Sequence, residues 1–220
     1  INYEVFEKML DFQLDNGTDA IIVAGTTGEA STQTDEEQLE LIRFAVDHID
    51  GRVPVIGGAG SNDTRHGVEL TKGVQEAGAD AVLSVTPYYL KTNQSGLVAH
   101  YKEIAGAIDL PIILYDVPGR TGMTIESSTL PALLEIDNIV AIKDAVGDLA
   151  KTVGNVQATD GKIDMYYGYD DVIVPLMSMG GKGVISVLAN IAPQAVHDMV
   201  QAALDGDFAK AAKIQADYKP

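Results

Sequence analysis

A (β/α)8 TIM barrel of the α/β class is the fold this sequence predicts, and three observations predict it. Short, continuously apolar runs recur along the chain, amphipathic stretches separate them, and an amphipathic helix precedes the first run. Continuous rather than alternating apolarity is the pattern of parallel strands covered on both faces. Parallel neighbours need a crossover between them, which the intervening stretches supply as helices.

The elements follow in order. Val5, Phe6, Met9, Leu10 and Leu14 share one face of an opening helix that ends near Asn16 and Gly17. The apolar run 20–23 is the first strand. Thr34 and Glu37 form a capping box for a helix whose inward face is Leu39, Ile42, Ala45, Val46 and Ile49. The run 53–56 comes next, then a helix face of Val68, Thr71, Val74 and Ala77 that stops at Gly78 as C-cap. The strand 81–85 leads to the face Leu97, Tyr101, Ile104 and Ile108. Runs 112–115, 139–142, 163–166 and 183–187 complete the strands, and Val196, Met199, Val200 and Ala203 form the last face. A chain of βα units starts with a strand, so the opening helix implies one that is absent here. Supplying it makes eight, the barrel number. The doubly wound alternative is weakened because no G-x-G-x-x-G follows an early strand. No linker or low-complexity tract interrupts the pattern, so residues 1–220 are expected to form one domain.

Composition narrows the function. Apolar residues are 46% and charged residues 21%, the balance of a globular domain. Lys plus Arg number 15 against 32 for Asp plus Glu, a formal charge of -17. Such a surface repels phosphate backbones and anionic lipid, so nucleic acid and membrane are not expected partners. No run approaches the roughly 18 apolar residues of a membrane span, and no signal-peptide pattern opens the chain. A cytoplasmic protein is expected. There are no cysteines, which excludes disulfides and thiolate chemistry. The four histidines, His48, His66, His100 and His197, lack ligand spacing, so no metal is expected.

Barrel active sites lie at the C-terminal ends of the strands, and the candidates are read there. Lys143 directly closes the apolar run 139–142, the only one of eleven lysines to do so. An inward, desolvated lysine favours the neutral amine, the nucleophile that forms a Schiff base with a keto acid. Its plainer reading is an ion pair with Asp144. Tyr115 closes the preceding strand and is either a proton shuttle or a core ring with a wet hydroxyl. Arg120, one of four arginines, is a carboxylate clamp or a surface salt bridge. Gly25-Thr26-Thr27-Gly28-Glu29 after the first run is an anion-binding turn or an ordinary βα turn with a threonine cap. Tyr88 and Tyr89 stand at another strand end, and Gly180-Gly181-Lys182-Gly183 lies on the entry side of the last strand, where it reads as a turn. Together these residues describe a class I aldolase acting on a small keto acid.

Five motifs carry a family resemblance: Gly25-Thr26-Thr27-Gly28-Glu29, Thr86-Pro87-Tyr88-Tyr89, Tyr115-Asp116-Val117-Pro118-Gly119-Arg120-Thr121-Gly122, Ile142-Lys143-Asp144 and Gly183-Val184-Ile185-Ser186. In this order and spacing the chain resembles the dihydrodipicolinate (4-hydroxy-tetrahydrodipicolinate) synthase family of pyruvate-dependent aldolases. The resemblance implies condensation of pyruvate with aspartate semialdehyde in lysine biosynthesis, with no cofactor beyond a covalent imine on Lys143. It implies proton transfer by Tyr115, linked through Thr27 to Tyr89 of a neighbouring subunit. Thr26 and Thr27 would hold the pyruvate carboxylate, Arg120 the semialdehyde carboxylate, and the backbone at Gly168 and Ile185 would line the pocket. A homotetramer, built as a dimer of dimers, is implied, and so are C-terminal helices that this chain lacks. His66 stands where lysine-inhibited members carry an acid, and Asp35 and Gln38 also differ from those members, so weak feedback by lysine is expected. Asp116 and Asp144 replace the frequent Asn and Glu. Rival readings are a sister aldolase acting on N-acetylneuraminate or 2-keto-3-deoxy sugar acids, and a noncatalytic truncated barrel subunit.

Overall fold

A computed structural model describes residues 1–218. The chain opens with α1 (Tyr3–Asp15), β1 (Ile21–Val23), α2 (Asp35–Ile49), β2 (Val55–Gly58) and α3 (Thr64–Glu76). It continues through β3 (Ala81–Val85), α4 (Gln94–Ala105), β4 (Ile112–Asp116), α5 (Pro118–Thr121) and α6 (Leu130–Leu133). The last part holds β5 (Ile139–Asp144), α7 (Leu149–Thr159), β6 (Asp164–Tyr167), α8 (Ile173–Met177), β7 (Gly183–Val184), α9 (Pro193–Leu204) and α10 (Phe208–Tyr218). The seven strands form one parallel sheet in the order β1 to β7. An order that never reverses has no switch point, which excludes the doubly wound alternative. Among the described residues β1 and β7 each pair on one side only.

Local signals behave as their chemistry requires. Thr34 accepts from the Glu37 amide at 3.2 Å and the Glu37 carboxylate accepts from the Thr34 amide at 2.9 Å, a complete capping box on α2. Gly17 and Gly78 take positive φ angles of 79° and 88° just beyond α1 and α3. Lys143 belongs to β5 itself rather than following it. β7 is shorter than its apolar run: Ile185 still donates to the Tyr167 carbonyl of β6, but beyond it the amides of Val187 and Leu188 go to the Asp170 carboxylate.

Each strand serves two faces, since successive side chains alternate. In β4, Ile112 and Leu114 join the core between sheet and helices, with Ile42, Val74, Leu97 and Ile104. Ile113 and Tyr115 join an inner cluster with Ile56, Leu83 and Ala141, closed by Ile22, Tyr166 and Ile185. Every strand, or the residue just past it, therefore contributes to one interior.

The same alternation turns Asp116 and Asp144 outward, under α7. The buried Asp116 Oδ2 accepts from Lys151 Nζ at 2.6 Å, Thr124 Oγ1 at 2.7 Å and the Ile125 amide at 3.1 Å. Burial pushes its carboxyl above the usual range, and Lys151 pulls it back. Asp144 accepts from the Val146 amide, Thr152 and Asn155 at 3.0, 3.2 and 3.2 Å. The pairing of Asp144 with Lys143 that the plainer sequence reading offered is thus not formed. Lys151→Ala leaves the buried Asp116 carboxylate without its counter-charge, with only Thr124 and the Ile125 amide as partners, and is expected to lower unfolding free energy by roughly 3–5 kcal/mol. Urea denaturation measures this, and a loss under about 1 kcal/mol would contradict the pairing.

Candidate active site

Parallel pairing of β4 with β5 sets Tyr115 opposite Lys143, both on the inner face. Lys143 Nζ lies 4.3 Å from the centroid of the Tyr115 ring. Burial lowers the lysine pKa to about 8, and the Asp170 carboxylate opposes that fall. A substantial fraction of the amine is therefore neutral near physiological pH. Burial raises the Tyr115 phenol, while a hydrogen bond with Thr26 and the charge of Arg120 pull it down. Burial is the larger effect, so the phenol is held protonated.

Both side chains line a cavity of about 690 Å³. Thr26, Thr27, Arg120, Gly168 and Ile185 line the same cavity, so seven of the eight expected residues converge. Tyr89 does not. It is 85% exposed on the loop after β3, with φ 71°, and does not line this chain's cavity. Both threonines of the turn line the cavity, and Thr26 is the one that pulls the Tyr115 phenol down. The turn is not a threonine cap, since Thr34 caps α2.

Gly168 is required by close approach. A Cβ there would stand 2.7 Å from the Ala145 Cβ and 3.0 Å from Lys143 Cε. Its amide donates to the Asp144 carbonyl at 2.8 Å, and the Ile185 amide donates to Tyr167 at 2.8 Å. The loop after β6 also brings Tyr169, Asp170 and Asp171 to the cavity, none of which the sequence reading singled out. Asp171 is exposed, whereas Asp170 is half-buried.

Elsewhere the fold gathers what spacing did not reveal. Glu7, Asp11 and His48 could hold a metal ion between them. They lie on α1 and α2, none of them lines the cavity, and Asp11 already bonds His48 Nε2 at 2.7 Å. No helix among the described residues is long and apolar enough to cross a membrane.

A desolvated lysine beside a buried tyrosine, at strand ends of a sequentially ordered parallel sheet, defines a lyase of the class I, Schiff-base aldolase type. The chain belongs to the Dihydrodipicolinate synthetase family, which it matches over residues 1–220. It is 51% identical to the 4-hydroxy-tetrahydrodipicolinate synthase of Lachnoclostridium phytofermentans, over 100% of this chain and 75% of that protein. Among solved structures it resembles a chloride-inhibited dihydrodipicolinate synthase from Acinetobacter baumannii complexed with pyruvate. That match has 44% identity and a TM-score of 0.96, covering 98% of this chain and 74% of the other. A dihydrodipicolinate synthase variant described as monomeric matches at 38% identity and TM-score 0.97, over 100% and 74% of the two chains.

Gly168→Ala is expected to push Lys143 off its position, costing about 1–3 kcal/mol of stability and most of the lysine's reactivity toward a small carbonyl reagent. Mass mapping of labelled Lys143 beside a thermal melt checks both, and unaltered labelling would contradict the close approach.

Proposed function

We propose that this protein catalyses the 4-hydroxy-tetrahydrodipicolinate synthase reaction, joining pyruvate to L-aspartate 4-semialdehyde through an imine on Lys143. The observation that carries this reading is the Lys143 amine, held partly neutral by burial and set against Tyr115 in one cavity. Neutral Nζ attacks the keto carbon of pyruvate, water leaves, and a C=N bond forms. Loss of a methyl proton turns the imine into an enamine, whose carbon attacks the aldehyde and forms the new C–C bond. Tyr115 takes and returns protons in these steps, with Thr26 fixing its hydroxyl. The amino group of the second substrate then attacks the imine carbon, closes the ring and releases Lys143. No metal or other cofactor enters this sequence.

The remaining residues take roles by chemistry. Thr26 and Thr27 face the pyruvate carboxylate from the turn after β1. Arg120 meets the semialdehyde carboxylate through its planar fork, which favours this substrate over a sugar acid whose chain needs hydroxyl partners. The backbone at Gly168 and Ile185 forms the cavity wall. Tyr89, projecting outward with Leu90 68% exposed beside it, reaches the cavity of a second copy within a homotetramer assembled as a dimer of dimers. The chain is one domain and its sheet is part of a (β/α)8 barrel, with the eighth strand lying between β1 and β7. A second cavity of about 760 Å³ runs between Ile21 and Ile22 on one side and Gly183 and Val184 on the other, which supports that place. The setting is cytoplasmic, in lysine and diaminopimelate biosynthesis.

Borohydride reduction in the presence of pyruvate is expected to leave a pyruvyl adduct on Lys143, found by peptide mass. Arg120→Ala should keep that adduct while raising the KM for the semialdehyde by about tenfold or more. An intact, folded protein that gives no adduct would overturn the proposal.

Lysine is expected to inhibit weakly. His66 is held between Asp35, at 2.9 Å from Nε2, and Ser61, at 3.0 Å from Nδ1, and Gln38 is turned to the Ala30 carbonyl at 2.7 Å. An ammonium ion approaching these side chains meets an imidazole in place of a free acid. A lysine titration of initial rates reads this directly, and strong inhibition would contradict it.

A further inference from the structure

Asp170 stands two residues beyond Gly168 and faces the cavity that holds Lys143. Its Oδ2 accepts from the backbone amides of Val187 and Leu188, each at 2.9 Å. Two charge-assisted bonds to backbone lock the carboxylate in place, unlike a charge on a swinging side chain. Its carbonyl is held as well, accepting from Gln215 at 3.1 Å. The second carboxylate oxygen, Oδ1, is buried and has no hydrogen-bond partner among the described residues. A buried acceptor with no protein donor keeps its capacity for a positive charge, and this one belongs to a residue that lines the cavity of Lys143.

The groups around Lys143 define that use. Tyr115 faces it from β4 and Tyr166 pairs with it in register from β6. Arg120 from α5 and Tyr169, Asp170 and Asp171 from the loop after β6 share its cavity. Asp170 and Asp171 are the only acids among the described lining residues, and Asp170 is the one whose charge acts on Lys143. The reaction places opposite demands on Nζ. Attack requires a neutral amine, which burial supplies, yet the protonated imine that follows is a cation at the same nitrogen in the same desolvated place. A preorganised anion stabilises such a charge without reorganising when it forms.

We infer that Asp170 is a positioning residue of the Schiff-base lysine: its pinned carboxylate supplies the fixed negative charge that a protonated imine at Lys143 Nζ requires, and it holds the turn after β7 against the cavity. This rests on the imine chemistry proposed above.

Asp170→Asn tests it, since the amide oxygen still accepts from the two backbone amides while the charge is gone. The rate at which formaldehyde and a borohydride methylate Lys143, followed by peptide mass from about pH 6 to about pH 10, reports the titration midpoint of the amine. Removing an anion favours the neutral amine, so the midpoint is expected to fall by roughly half to one pH unit. The kcat is expected to fall by about tenfold or more, because the imine cation loses its counter-charge. Asp170→Glu, which keeps the charge, should restore the midpoint. If the Asn variant fails to fold by thermal melt, Asp170→Ser carries the same readout. A midpoint equal to the parent's in a folded variant overturns the inference, and so does a Glu variant that titrates like Asn. Pyruvate trapping on the parent separates the two ideas: an adduct with an unmoved midpoint defeats the role of Asp170 alone, whereas no adduct defeats the imine reading.

Discussion

The register between β4 and β5 is the constraint on which the rest of this structure depends. It sets Tyr115 opposite Lys143 and Asp116 opposite Asp144. Because side chains alternate across a strand, that single alignment decides two environments at once. The phenol and the amine enter the interior, and the two acids go under α7. A slip of one residue in β5 would bury an unpartnered lysine beneath the helix and bring a carboxylate to the reacting centre. The bonds from α7 to both acids, with Lys151 on Asp116 and Thr152 and Asn155 on Asp144, oppose such a slip. The network beneath the strands and the chemistry above them are two sides of one alignment.

Burial and charge work against each other at Nζ. Desolvation favours the neutral amine, but unrelieved it would also disfavour any cation at that nitrogen. The absence of a side chain at Gly168 leaves the room that Lys143 Cε occupies beside Ala145. Arg120 and Thr26 do the corresponding work for Tyr115, lowering a phenol that burial alone would raise.

Much of this was legible from sequence because it is written in local chemistry. Strands buried on both faces show as continuous apolar runs, and Lys143 shows as a charge at the end of one. The capping box of α2 is a pattern of two residues three apart. Other parts have no such signature. The buried face of α7 is Thr152, Asn155 and Thr159, so its inward side is polar and hydrophobic periodicity does not register it. Asp170 acquires its place only when the chain folds back seventeen residues later and presents two amides. Thr26 and Thr27 are the same residue type at adjacent positions, and nothing in the sequence distinguishes the one that acts on the Tyr115 phenol. The plain ion-pair reading of Lys143 failed for a reason that alternation along a strand already contains.

The sequential order of the sheet also bears on how the molecule is made. Among the seven described strands each is laid against the one before it, so none of these pairings waits for a distant segment. A chain emerging from a ribosome can add units one after another, each new helix covering surface that would otherwise invite aggregation. The lysine and tyrosine come together in the middle of that process, when β5 docks on β4. The carboxylate of Asp170 and the turn that pins it follow β5 in the chain, so the last charge of this cavity is supplied by segments synthesised after the lysine and tyrosine.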